Sequence, residues 1–155
     1  MNRISFETEF GFKVKFVSHT TRNKSGEKVM TVDVTTYSDK DGLQHSFWFD
    51  DVRQLKVLWE VLNDYLDKTG YLRHFEEPKF SMSEEEVNVV ITPGYTFDEI
   101  DEMPECFDIS IALYEGEKQR RGYFWVNTRS EFFFFTSVIS EYLTEIAKVG
   151  LNSPK

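Results

Sequence analysis

The chain has 155 residues, 40% of them hydrophobic, with fifteen Phe, seven Tyr and three Trp. That length can bury a real core, and that hydrophobic content excludes a disordered chain. The formal net charge of −9 disfavours a broad grip on phosphates, and apolar runs such as Phe132 to Phe135 fall far short of the ~20 residues a membrane span needs.

The opening residues, MNRISFETEF, carry no apolar stretch of the signal-peptide kind, and the single cysteine, Cys106, has no partner for an internal disulfide. Both features predict a reducing, cytoplasmic setting. Alternation of Phe10, Phe12 and Val14 predicts a strand over 10–19, and Val32 and Val34 mark a second over 28–38. A third follows over 43–49, ending in Phe47-Trp48-Phe49. Asp51-Val-Arg-Gln54 then has the form of a helix N-cap with a partner three residues on, which opens a helix over 51–68. In it Leu55, Leu58, Trp59, Leu62, Tyr65 and Leu66 recur every three or four residues and form one apolar stripe for a sheet to cover. The segment from Thr69 to Met82, with Gly70 and Pro78, is predicted as a linker.

Beyond it the pattern returns. Val87, Val89 and Ile91 alternate in a strand over 86–92, Ile109 and Ile111 in one over 106–115, and a third runs over 120–126. Thr128-Arg-Ser-Glu131 is a second capping box, opening a helix over 128–148 whose stripe is Phe132, Phe135, Ile139, Tyr142, Leu143 and Ile146. Sliding the chain over itself by 77 positions aligns Phe47-Trp48 with Phe124-Trp125, Tyr37 with Tyr114, Val61 with Val138 and Tyr65-Leu66 with Tyr142-Leu143. These are six identities in the 37 positions from 30 to 66, where composition alone gives roughly two. The expected fold is therefore α+β: a tandem duplication of a βββα unit, with antiparallel sheets and two helices packed on them. It forms one compact pseudo-twofold domain over 1–155, with repeats of about 1–77 and 78–155.

Two departures from simple repetition bear on partners. Phe133 and Phe134 stand where the first helix has Lys56 and Val57, so the second helix is apolar beyond one face. That surface is covered either by the first helix or by a second copy in a homodimer. In the strands, alternation turns Tyr37 and Trp48, and with them Tyr114, Tyr123 and Trp125, away from the helices. Such aromatics either pack between two sheets or stack on unpaired bases.

Three strands running into a helix, twice over, resembles the layout of PUR repeats and of the whirly single-stranded nucleic-acid binders, although PUR repeats have four strands each. The resemblance covers the order of elements across most of the chain and involves no sequence motif. Together with the outward aromatics it supports a single-stranded nucleic-acid binder that uses Tyr37, Trp48, Tyr114 and Trp125 as stacking residues, with Lys118, Arg120 and Arg121 at the phosphates.

Charge implies something different. Residues 1–77 hold 11 Lys and Arg against 13 Asp and Glu, whereas 78–155 hold 7 against 14. No Lys or Arg falls between Phe80 and Glu117, a stretch that carries Glu84, Glu85, Glu86, Asp98, Glu99, Asp101, Glu102 and Glu105. The segment of the first half that matches Tyr95 to Glu105, Ser18 to Lys28, is basic. Those eight carboxylates form the expected contact for a basic protein partner, drawn in by charge complementarity. Catalytic groupings are missing from the pattern. His19, His45 and His74 lack metal-site spacing, Asp98-Glu99-Ile-Asp101-Glu102 lacks the EF-hand glycine, and no Gly-rich phosphate loop occurs. The expected function is thus a non-catalytic acidic interaction module without cofactor or metal, an inhibitor or antidote covering a basic, nucleic-acid-handling surface. Single-stranded nucleic-acid binding is the alternative.

Overall fold

The computed structural model describes residues 2–8, 11–69, 80–83, 87–94, 106–115 and 117–149. The chain runs β1 (Asn2–Glu7), β2 (Phe12–Arg22), β3 (Lys28–Ser38), β4 (Leu43–Phe49), α1 (Val52–Thr69), β5 (Phe80–Ser83), β6 (Val87–Gly94), β7 (Cys106–Glu115), β8 (Lys118–Val126) and α2 (Arg129–Val149). Strands β1 to β4 form one antiparallel sheet in sequence order, and β5 to β8 form another. The fold is α+β with two antiparallel sheets and two helices.

Each half has one strand more than the three expected. β1 and β5 are edge strands, hydrogen-bonded on one side only. β1 offers the core just two apolar positions, Ile4 and Phe6, and β5 is four residues long and falls in the expected linker. Alternation over so few residues is too weak a signal to predict a strand.

The other strands follow from their alternation. In β2 the side chains of Phe12, Val14 and Phe16 are fully buried while Lys13 and Lys15 are exposed, as a half-buried strand requires. β6 and β7 do the same with Val87, Val89 and Ile91 and with Phe107, Ile109 and Ile111. Ladder register departs from the spacing of 77. Phe12 pairs with Ser38 and Val87 with Leu113, so that Val87 takes the structural place of Phe12 rather than of Phe10, which lies outside the described residues. β4 and β8 keep the spacing of 77, with Phe47 and Phe49 buried like Phe124 and Val126. The link from Leu113 to its partner Arg120 is two residues longer than that from Ser38 to Leu43, which accounts for the difference. A two-residue slip preserves which face each side chain occupies, so the core is unaffected.

Both helices lie on the inner faces of the sheets. α1 packs on β3 and β4 and also on β5 and β6, α2 packs on β2 and β8, and the helices touch each other. Leu55, Leu58, Leu62 and Tyr65 of α1 and Phe135, Ile139 and Tyr142 of α2 are fully buried. Tyr142 stacks on Phe16 with ring centroids 4.3 Å apart, and burial raises its phenol pKa against a smaller opposing effect from Ser18. Each such buried side chain contributes roughly 1.5–3 kcal/mol of transfer free energy.

The two sheets meet along the edges of β4 and β8. Gly122 makes this possible: a Cβ there would lie 2.3 Å from the Phe47 ring. Above and below that contact, His45 and Tyr123 rings sit 5.1 Å apart, and the Arg120 guanidinium donates to the Trp48 carbonyl. An edge carbonyl that no strand pairs is thereby satisfied. A second link joins the halves inside the core. Glu131 is fully buried, accepting from Ser38 Oγ at 2.6 Å and from the Asn127 N–H at 2.7 Å.

Candidate nucleic-acid interface

The helices cover only the inner sheet faces, so the outer faces meet solvent. The outward aromatics do not pack between sheets: Trp48 is 54% exposed, Tyr123 50% and Tyr114 36%. Alternation gave their direction correctly, but the covering layer that would bury them is absent among the described residues, because each sheet spends its one apolar face on the helices.

Where the β4 and β8 edges meet, a cleft of about 830 Å³ opens between the β2–β3 hairpin and the β7–β8 hairpin. Trp48 and Tyr114 both line it, as do Arg22, Lys24, Arg53, Lys118 and Arg120. Glu27, Asp50, Asp51 and Glu115 are the carboxylates on its walls, so five cations face four anions in a chain whose net charge is −9. Arg120 is central. Its guanidinium lies 5.4 Å from the Trp48 ring centroid and 4.7 Å from that of Phe47, within cation–π range of both. Asp50 stands 3.6 Å from it.

Local hydrogen bonding shapes the walls. In the β2–β3 turn, Asn23 Oδ1 accepts the N–H groups of Ser25 and Glu27, and Arg22 donates to the Gly26 carbonyl at 2.8 Å. Lys24 at the tip reaches Glu115 of the opposite hairpin at 2.8 Å; this contact raises the Lys24 pKa and lowers that of Glu115. At the floor, Asp51 caps α1 by accepting the Arg53 N–H and also binds the Arg53 guanidinium. Burial alone would raise the Asp51 pKa, but the hydrogen bonds and charge of Arg53 outweigh it and hold the carboxyl below its usual value, while Arg53 is raised in return. The result is a polar cleft lined by two aromatic residues, Trp48 and Tyr114, with the Arg120 guanidinium over the Trp48 ring.

The expected stacking residues therefore separate. Trp48 and Tyr114 come together in the cleft with Lys118 and Arg120. Tyr37 stands apart on the outer face of the first sheet, with the Lys13 ammonium 5.8 Å from its ring centroid. Trp125 and Arg121 lie with Tyr123 on the outer face of the second sheet, in a shallower pocket. Arg22, Lys24 and Arg53 were missed as partners of Trp48. For Arg22 and Lys24 the signal is the basic run from Ser18 to Lys28, whereas Arg53, on α1, carries no sequence signal that links it to Trp48.

Glu84, Glu85, Glu86, Asp98, Glu99, Asp101, Glu102 and Glu105 all lie outside the described residues. Of the phenylalanines that suggested self-association, Phe134 is partly buried and edge-on to Phe12 of β2, with ring centroids 6.0 Å apart. Phe133 is 52% exposed. Among the described residues no group of His, Cys, Asp and Glu could hold a metal ion, and no helix is long and apolar enough to cross a membrane.

No protein-family model matches the chain, and no curated protein matches it. Distantly similar solved structures include the following three. The MRP1/MRP2 proteins of Trypanosoma brucei share 9% identity over 94% of this chain and 86% of theirs, with a TM-score of 0.34. A guide-RNA-binding protein complex bound to a gRNA shares 10% over 86% of this chain and 92% of its own, at 0.34. The plant transcriptional regulator PBF-2 shares 10% over 99% and 90%, at 0.29. At these values the likenesses assign no function to this chain.

Proposed function

We propose that the protein binds single-stranded nucleic acid in the cleft between the β2–β3 and β7–β8 hairpins. One observation carries this: Trp48 and Tyr114, distant in sequence, line one cleft with Arg120 and Lys118. Aromatic surfaces stack on any base, and cations at the rim neutralise the backbone, which is the chemistry of sequence-tolerant single-strand binding. A duplex hides its base faces, so this cleft favours unpaired strands. The matched strand-to-helix junctions at a spacing of 77 support reading the two halves as a tandem duplication, with the cleft built where they meet.

Three cleft cations are already matched to carboxylates, Lys24 to Glu115, Arg53 to Asp51 and Arg120 to Asp50. Binding is therefore expected to be modest, and its salt dependence shallow: the two remaining cations, Arg22 and Lys118, neutralise about two phosphates, for a log–log slope of about −1.4. Titration of the protein with oligothymidylate at low salt, followed by tryptophan fluorescence, should show saturable quenching, with a duplex of equal length competing poorly. No quenching at micromolar oligonucleotide removes the proposal. The eleven-residue segment from Tyr95 to Glu105, with five carboxylates and no Lys or Arg, favours a second reading, capture of a basic protein. Binding to a cationic domain that Asp98→Lys and Glu99→Lys weaken, with no response to oligonucleotide, would select it.

A further inference from the structure

We propose that the outer face of the second sheet reads guanine in the strand that the cleft holds, with Asp108 as the base-recognising residue. This rests on the single-strand reading above. In β8 the outward side chains are Arg121, Tyr123 and Trp125, spaced about 6.8 Å apart by the strand's two-residue repeat, a step close to that of an extended nucleotide chain. Arg120 and Arg121 are consecutive and point to opposite sides of β8, so a backbone leaving the cleft over this edge passes from one guanidinium to the other.

The neighbouring strand places polar groups beside those rings. Asp108 pairs directly with Trp125 and Ser110 with Tyr123, and directly opposed residues have Cβ atoms ~4.5–5.5 Å apart. Together with Arg121 and Gly122 they line a shallow pocket of about 500 Å³. Trp125 is held by its indole N–H, which donates to Asn127 Oδ1 at 2.9 Å. The Asp108 carboxylate accepts from Ser110 Oγ at 3.4 Å through Oδ1, and Oδ2 takes no hydrogen bond among the described residues. Its half-buried position desolvates it, so a ligand with two adjacent donors gains from meeting it.

An ionised carboxylate is an acceptor only. Guanine alone among the common bases offers two neighbouring donors on its pairing edge, N1–H and N2–H. Cytosine and adenine set a ring acceptor beside their amino group, and thymine and uracil flank one N–H with two carbonyls. A guanidinium from a protein partner also offers paired donors and stacks on aromatic rings, but Arg121 on the same face disfavours a second cation. A nucleotide, with its phosphate, suits that charge.

The test uses labelled single-stranded oligothymidylates carrying one central guanine, inosine or no substitution, with the intact protein. Inosine lacks only the N2 amino group. Wild type should bind the guanine oligonucleotide about five-fold more tightly than the inosine one, and Asp108→Asn should erase that preference while leaving oligothymidylate affinity within two-fold. Asp108→Glu, which keeps the acceptor pair, should retain part of it. If oligothymidylate binds but guanine and inosine are equal, or if Asp108→Asn keeps the preference, the guanine site is wrong and the cleft reading stands. If no oligonucleotide binds, both fall. Competition by arginine methyl ester as strong as that of guanosine monophosphate would also overturn the assignment, making the pocket a guanidinium site.

Discussion

The two strand-to-helix junctions share one layout and serve different ends. The first reads Trp48, Phe49, Asp50, Asp51 and then Gln54; the second reads Trp125, Val126, Asn127, Thr128 and then Glu131. Both close a capping box. Gln54 Oε1 accepts the N–H groups of Asp50 and Asp51, and Glu131 Oε1 accepts that of Asn127 while Thr128 Oγ1 accepts the Glu131 N–H. The charge is placed oppositely. In the first junction the carboxylates of Asp50 and Asp51 line the cleft and the buried capping group is a neutral amide. In the second the corresponding residues, Asn127 and Thr128, are neutral, Asn127 holds Trp125 and Asp41, and the buried capping group is the carboxylate that also binds Ser38 of the other half. A local code that starts a helix is thus used once to furnish a cleft and once to fasten two halves.

That contrast can be broken experimentally, and the fastening should fail hardest. Glu131→Ala removes the acceptor for Ser38 Oγ and the Asn127 N–H within the core and should cost about 3 kcal/mol. Gln54→Ala, at the matching position, should cost only about 1 kcal/mol. Urea denaturation midpoints compare the two, and equal losses would show that Glu131 is merely a cap. Next in size is Trp48→Ala, expected to weaken oligonucleotide binding about tenfold or more, the ~1–3 kcal/mol of one lost stacking surface, with thermal stability unchanged.

Smaller effects probe Asp51 and Asp50. Asp51→Ala should cost about 1 kcal/mol near neutral pH. Because the folded-state pKa of Asp51 is lowered from 3.8, its charge contributes stability above that value and loses it as pH falls through the folded pKa. The gap between wild type and variant in unfolding midpoint should therefore narrow below about pH 4, and a constant gap would leave the cap without its charge. The smallest change is expected for Asp50→Asn, which removes the carboxylate beside Arg120. A gain in oligonucleotide affinity of about two-fold, with a slightly steeper salt slope, should follow.

Much of the scaffold is legible in the sequence because it is local. Alternation places β2, β3, β4, β6, β7 and β8, and the capping boxes start both helices within a residue or two. β1 and β5 escape notice since an edge strand needs few apolar positions, and β5 hides in a stretch that also holds Pro78. The site is less legible. Tyr114 and Trp48 line one cleft where Gly122 lets the Phe47 ring close the β4–β8 edge, and nothing local to either aromatic encodes that arrangement. Summed charge misled in the same way: −9 for the chain says little about five cations gathered on two hairpins and an adjoining helix.

The three indole N–H groups, Trp48, Trp59 and Trp125, give separate signals in a nitrogen–proton correlation spectrum, each assignable by single substitution. On titration with a single-stranded oligonucleotide at low salt, the Trp48 signal should shift and reach saturation with the binding isotherm, while that of half-buried Trp59 on α1 should hold its position. Binding that leaves the Trp48 signal unmoved would contradict a strand held in the cleft.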